Sequence, residues 1–179
     1  MKKYYFLLFL FCAFASCKMN STLDLGFTNQ MQAYEPKFME LSEKVSYVDR
    51  NLSVTDLRYP KDLAELSKYS GSDASFQGNY RNMMAQRDAI RKEFTTEKQK
   101  FSKLITDFND FRNRVMQNQV NGEEAKKEFD GIMKNYGTSI TKLDDVKQRI
   151  VHNIEDHNRL TRNLALSVNV YTNFNIDPH

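Results

Sequence analysis

From Phe27 to Leu52, apolar side chains recur in alternating steps of four and three residues: Phe27, Met31, Tyr34, Phe38, Leu41, Val45, Val48 and Leu52. That spacing puts all eight on one side of an α-helix, as a seam that must be buried against other helices. The rhythm returns over Phe76, Tyr80, Met83, Arg87, Ile90, Phe94, Glu97, Phe101, Leu104, Phe108, Phe111 and Val115, with two polar interruptions. It returns again over Phe129, Met133, Tyr136, Ile140, Leu143, Lys147, Ile150, Ile154, His157, Thr161, Leu164 and Val168, with three. Only 6 glycines and 3 prolines punctuate 179 residues, which suits an all-α chain. The expected architecture is a long, coiled-coil-like antiparallel helical hairpin with a third helix packed on it, a three-helix bundle.

Local signals place the boundaries. Pro36 falls on the outward side of the first seam, yet it lacks an N–H and crowds the preceding turn, so a helix start or kink is expected there. Residues 53–75 read as a connector holding a short helix from Pro60 to Tyr69, with Gly71 as its stop. In "QVNGEEA", Asn121 and Gly122 suit the positive φ of a tight reversal, and Glu123 and Glu124 suit the positive end of a new helix. Gly131 and Gly137 weaken the third helix, and a break near "NYGTS" stays open.

Folding the second seam back on the third about Gly122 brings Val115 to Phe129, Phe108 to Tyr136, Phe101 to Leu143, Phe94 to Ile150, Ile90 to Ile154 and Tyr80 to Leu164. The same register sets Glu97 opposite Lys147, and Arg87 opposite His157 with Glu155 and Asp156 alongside. These four side chains, Arg87, Glu97, Lys147 and His157, are expected to form structural polar layers, because opposite charges then meet where the apolar seams fail. Met84, Ile105, Ile132, Val146, Val151 and Leu160 widen the stripes, and the 27–52 helix is expected to cover them. Its Phe27 end should point along the hairpin towards Gly122. Glu40 with Lys44, Asp88 with Lys92, Asp110 with Arg114, Asp145 with Arg149 and Glu155 with Arg159 lie at i, i+4 on solvated faces.

The N-terminus has another character. Met1, Lys2 and Lys3 precede an apolar run from Tyr4 to Phe14, and small residues Ala15 and Ser16 precede Cys17, the layout of an export signal. The run is too short to span a membrane, which needs about 20 apolar residues. The segment "FASC" resembles the lipobox of bacterial lipoproteins, with Phe14 where leucine is usual. That resemblance implies cleavage before Cys17, acylation of its thiol and anchoring in a membrane; cleavage with release is the alternative. Cys12 reads as filler removed with the signal, and a Cys12–Cys17 disulfide would lie inside the same segment. The chain then divides into a signal peptide over 1–16, a lipidated N-terminus and tether over 17–26, a helical bundle over 27–170 and an extended tail over 171–179. Without Lys2 and Lys3 the mature part carries 24 basic and 23 acidic residues, too even a balance for a nucleic-acid partner.

Candidate sites are few. The Phe94, Phe101, Phe108 and Phe111 stripe has the spacing of a core rather than of a stacking surface. His152, Glu155, Asp156 and His157 look like a metal cluster in linear order, but on a helix the two histidines point about 140° apart. No Glu-x-x-His pair, phosphate loop or nucleophile motif is present, so no catalytic, cofactor-binding or metal-ligating residue is assigned and an enzyme is not expected. In "SVNVYTNFNID" apolar and polar residues alternate with a strand period, as a frayed end, a strand added to a partner sheet, or a strip packed on the bundle. The layout of acylated cysteine, polar leader and helical hairpin loosely resembles the cell-wall-binding lipoproteins of bacteria. It implies an exported protein, lipid-anchored in the cell or outer membrane and facing the periplasm or exterior, with an envelope protein or the cell wall as partner. The alternative is a helical-bundle carrier of haem or metal with His157 as ligand.

Overall fold

A computed structural model describes residues 25–70, 74–169 and 173–178. The signal segment, Cys12, Cys17 and most of the tether fall outside the described residues. Three helices follow one another: α1 (Leu25–Ser70), α2 (Ala74–Met116) and α3 (Gly122–Ser167). All three pack pairwise into a three-helix bundle with one continuous core, and the described residues contain no strand.

In α2 the buried residues are the twelve of its sequence seam, Arg87 and Glu97 included. In α3 the buried arc is rotated: Ile132, Val146 and Asn153 are buried, whereas Met133, Tyr136, Ile140 and Lys147 are half-buried. The buried stripe of α3 thus turns towards Ile132, Val146 and Asn153 and away from the Met133, Tyr136 and Ile140 edge.

The first helix corrects the sequence reading most. It runs unbroken for 46 residues, about 69 Å at 1.5 Å per residue, through both Pro36 and Pro60 and through the whole expected connector. The step of three and four continues past Leu52 as Thr55, Tyr59, Asp62 and Leu66, all buried. Pro36 and Pro60 are exposed, as are Gln32 and Asp56, whose carbonyls lose their helical N–H partners to these prolines. On an exposed face such carbonyls are open to hydration, and the inward packing of Tyr59 and Asp62 carries the helix through. The expected 60–69 helix is thus the last third of α1.

The hairpin turn also differs. Helix α2 ends at Met116, and Asn118 takes the left-handed conformation with φ 54°. The N–H groups of Asn118 and Gln119 donate to the Val115 and Arg114 carbonyls, the paired bonds of a Schellman close. Asn121 is extended and caps α3, its Oδ1 accepting from the Glu124 N–H at 2.9 Å. Gly122 is already the first helical residue, so the positive φ belongs to Asn118. The fold-back centre moves from Gly122 to Gln119, the middle of the 117–121 connection. Pairings shift accordingly: Phe111 meets Phe129 with ring centroids 5.9 Å apart, and Tyr80 meets His157 at 5.8 Å.

Helix α1 lies antiparallel to α2 and parallel to α3. Its Phe27 ring sits 6.4 Å from Phe111 and 5.5 Å from Phe129, at the hairpin-turn end as its direction requires. Phe38 inserts between the hairpin helices, stacked at 3.9 Å on Phe108 and 5.1 Å from Tyr136. Cross-helix ion pairs Lys44–Asp144, Lys98–Asp49 and Arg112–Glu35 run along the rims. Of the intrahelical pairs, Glu40–Lys44 and Asp145–Arg149 form, while Arg114 crosses to Glu128 and Arg159 takes Asp156.

Helix α3 passes through Gly131 and Gly137 without a break, and a methyl group at either would meet nothing within 4 Å. Gly131→Ala and Gly137→Ala are therefore expected to stabilise the bundle by about 0.5–1 kcal/mol each. Denaturant titration measures it, and unchanged or lowered stability of the double variant would mean the helix is not continuous there.

Candidate functional site

The half of the bundle remote from the hairpin turn has a polar interior. Asn51, Thr55 and Asp62 of α1, Arg87 of α2, and Asn153, His157 and Thr161 of α3 are all buried. Buried polar groups must find partners or cost about 1–3 kcal/mol each. Asn51, Thr55 and Thr161 donate to carbonyls of their own helices, whereas Tyr59, Tyr80 and Asn153 find partners on neighbouring ones. The Tyr80 hydroxyl of α2 donates to the Tyr59 carbonyl of α1 at 2.9 Å. The Tyr59 hydroxyl donates to Asn153 Oδ1 of α3 at 2.9 Å, and Asn153 Nδ2 donates to the Met83 carbonyl of α2 at 2.9 Å. Three bonds thus close a circuit through three helices. Burial pushes both phenols well above the usual tyrosine range, which keeps them donors.

His157, fully buried, lies beside this circuit. Tyr59 stacks on its ring at 4.6 Å with planes 8° apart, and Tyr80 meets it edge-on at 5.8 Å. Its Nε2 stands 3.2 Å from Asp62 Oδ2, and its Nδ1 stands 3.2 Å from Asn158 Oδ1. Asn158 in turn donates from Nδ2 to the Ile176 carbonyl at 2.8 Å, and its Oδ1 accepts from the Ile176 N–H at 2.9 Å. The C-terminal segment 173–178 is consequently a strip packed on the bundle, with Phe174 and Ile176 buried. Burial holds the imidazole below its ordinary pKa, opposed by the contacts with Asn158 and Asp62.

The expected polar layers are assembled differently. Arg87 and His157 are buried in the same half, but they do not pair. Arg87 binds Asp56 of α1 and Asp88, with its guanidinium 5.7 Å from the Tyr59 ring, and His157 faces Asp62. The uninterrupted α1 supplies Asp56, Tyr59 and Asp62 between them, so Glu155 and Asp156 are not needed as counter-charges. Asp156 binds Arg159 instead. Glu97 pairs with Lys142 at 2.9 Å and Lys100 at 3.0 Å, not with Lys147. The shift of the fold-back centre accounts for this: Lys147 lies on the α1 side, its ammonium 4.7 Å from the Tyr47 ring centroid. The stem of Glu97 is buried while its carboxylate reaches out to the lysines, and hydrogen bonding to Lys142 and then Lys100 lowers its pKa.

His152 is exposed, 3.7 Å from Glu155 and 3.6 Å from Asp156, and on a different face from His157. Among the described residues no group of three or more histidine, cysteine or acidic side chains is placed to hold a metal ion. His157 Nδ1 contacts Asn158, its Nε2 faces the Asp62 carboxylate at 3.2 Å without a hydrogen bond, and Tyr59 and Tyr80 cover the ring. Phe94, Phe101, Phe108 and Phe111 are core. A groove of about 510 Å³ opens between α2 and α3, lined by Gln86, Gln148, Arg149 and His152 among others. Residues Asp56, Tyr59, Asp62, Asn153 and Asn158 escaped sequence reasoning; the continuing step Leu52, Thr55, Tyr59, Asp62, Leu66 is the signal that finds the α1 members. No helix among the described residues is long and apolar enough to cross a membrane. Comparison with known protein families, curated proteins and solved structures gives no match to this chain.

Two measurements test this geometry. Charge-removing variants of Glu97 and Lys142 are expected to couple in a double-mutant cycle by about 0.2–1 kcal/mol, and Glu97 with Lys147 to be additive. Coupling to Lys147 alone would restore the Gly122-centred register. For His157 the folded pKa lies below the unfolded value of about 6.5, so the unfolded chain binds the proton more tightly. The stability this burial carries is present above that value and is lost as pH falls. Urea midpoints should drop between about pH 7 and 5, and His157→Gln should flatten the slope. An equal slope in the variant would remove His157 as its source.

Proposed function

We propose that the chain is a lipid-anchored helical protein of the bacterial cell envelope, exported under its N-terminal signal and held by acylated Cys17, serving as a spacer and interaction module. One observation carries the spatial part of this reading: the Phe27 end of α1 lies beside the hairpin turn, against Phe111 and Phe129. Residues 18–26 therefore lead from Cys17 to the turn end of the bundle, a reach of roughly 30 Å when extended. The bundle itself is about 69 Å long, so its other end, with the polar interior and the C-terminal strip, stands away from the lipid surface. An envelope protein or cell-wall component is met there. The carrier reading has no comparable support, since His157 is fully buried with Tyr59 and Tyr80 packed on its ring.

Each methylene of an acyl chain adds about 0.8 kcal/mol of membrane affinity, so several chains anchor almost permanently. Cys17→Ala is expected to move the protein from the membrane fraction to the soluble one and to block maturation. A fluorophore at Asn121 should be quenched by lipid-borne quenchers more strongly than one at Ser167. A Cys17→Ala variant that is processed and still sediments with membranes would sink the anchoring proposal, and stronger quenching at Ser167 would reverse the orientation.

A further inference from the structure

The C-terminal segment is held in an unusual manner for a piece of a helical bundle. Its main chain is read by one side chain: Asn158 takes both the N–H and the C=O of Ile176, at 2.9 and 2.8 Å. Its alternate side chains, Phe174 and Ile176, enter the bundle, while Asn173, Asn175, Asp177 and Pro178 are exposed. Within the segment the Asn175 N–H donates locally to Asn173 Oδ1 at 3.0 Å. Recognition of an extended peptide has these two parts, main-chain bonds that any sequence can make and sockets for alternate side chains. The groove also continues past the ring: a half-open cleft of about 210 Å³ adjoins Phe174, lined by Thr161, Arg162, Ala165 and Leu166 of α3 and by Asn173 and Asn175 of the strip. A side chain larger than phenylalanine has room to extend into it. Asn158 Oδ1 also stands 3.2 Å from Nδ1 of buried His157.

We propose that Asn158 and the sockets of Phe174 and Ile176 form a reader for an extended peptide carrying large apolar residues at alternate positions, with the chain's own C-terminal segment as its resident pseudo-ligand. The occupant in function is a partner's segment of that pattern, with an aromatic side chain at the first apolar position, which displaces the resident strip. This rests on the interaction-module reading and names the partner's chemistry. Tethering gives the resident an effective concentration of the order of millimolar, so a partner must outcompete it, and the unaltered chain presents a masked site. A partner gains over the resident where a larger ring reaches into the cleft that adjoins Phe174.

The test uses the full chain. Phe174→Ser with Ile176→Ser empties the sockets, and circular dichroism checks that the helices remain. A fluorescent hexapeptide of residues 173–178 is then titrated against this variant, against the unaltered chain and against the variant carrying Asn158→Ala as well. The expected result is saturable binding to the emptied variant, at least tenfold weaker binding to the unaltered chain, and at least tenfold loss with Asn158→Ala. A peptide keeping only the Phe and Ile, with serine elsewhere, should bind equally well, and one with tryptophan in place of Phe more tightly. In the unaltered chain, where folding is not in question, excess tryptophan peptide should speed hydrogen exchange at the Ile176 amide. Equal binding to emptied and unaltered chains, no binding to either, or an Ile176 amide indifferent to excess peptide would overturn the reader. Exchange of tails between two copies, seen as a dimer that the emptied variant cannot form, would overturn the partner assignment. None of these readouts involves a membrane, so the reader and the Cys17 anchor fail or stand separately.

Discussion

The circuit Tyr80 to Tyr59, Tyr59 to Asn153 and Asn153 to Met83 is the constraint on which the bundle's arrangement depends. Apolar seams of nearly uniform 3-4 spacing are self-similar, so sliding one helix by a heptad returns apolar side chains to apolar side chains. Such seams favour bundling without choosing a register. A hydrogen bond has no such tolerance, because a buried hydroxyl displaced by a few ångströms loses its partner and keeps the desolvation cost. Each of the three bonds joins a different pair of helices, so all three relative positions are specified at one level. The Asp56–Arg87 and Asp62–His157 contacts lie within two turns of Tyr59 on α1 and oppose the same slips.

The two ends of the molecule consequently have different physical characters. Towards the hairpin turn the core is aromatic: Phe27, Tyr34, Phe38, Phe108, Phe111 and Phe129 contact one another edge-on or stacked. Ring contacts of this kind accept modest displacement and derive their strength from area. Towards the other end the interior is polar and positionally demanding, and there the chain also docks its C-terminal strip. A long helical protein with nothing but an apolar core presents featureless flanks. This one concentrates its polar specificity, the cleft beside Phe174 and its main-chain-reading asparagine at one end.

The continuation of α1 past Leu52 was present in the sequence and hidden by two residue types. Thr55 and Asp62 occupy seam positions, and polar residues there end the pattern if apolarity is the criterion. The same allowance that carried α2 through Arg87 and Glu97 carries α1 through Thr55 and Asp62. Pro60 deepened the misreading, since proline opens helices more often than it interrupts them. Its exposed position, one residue after buried Tyr59, is what makes it tolerable. The partners of Glu97 and Lys147 were illegible for another reason: they depend on the loop's centre, and Asn118 rather than Gly122 takes the positive φ. Asparagine reaches that conformation at small cost, so sequence alone favoured the glycine.

Sequence alone determined the helical class, the twelve buried positions of α2, the folding of α2 back on α3 and the end of the hairpin to which Phe27 points. Each follows from local periodicity or from chain direction, which neighbours along the chain are sufficient to define. Only the tertiary structure decided which polar groups meet: Asp62 with His157, Tyr59 with Asn153, Lys142 with Glu97, and Asn158 with the main chain of Ile176. These contacts join residues up to 95 positions apart, and a shift of three residues in the loop centre reassigns every partner while leaving the apolar pattern intact. Periodicity fixes which face is buried; hydrogen-bond and ion-pair geometry, which tolerates far less displacement, fixes what that face touches.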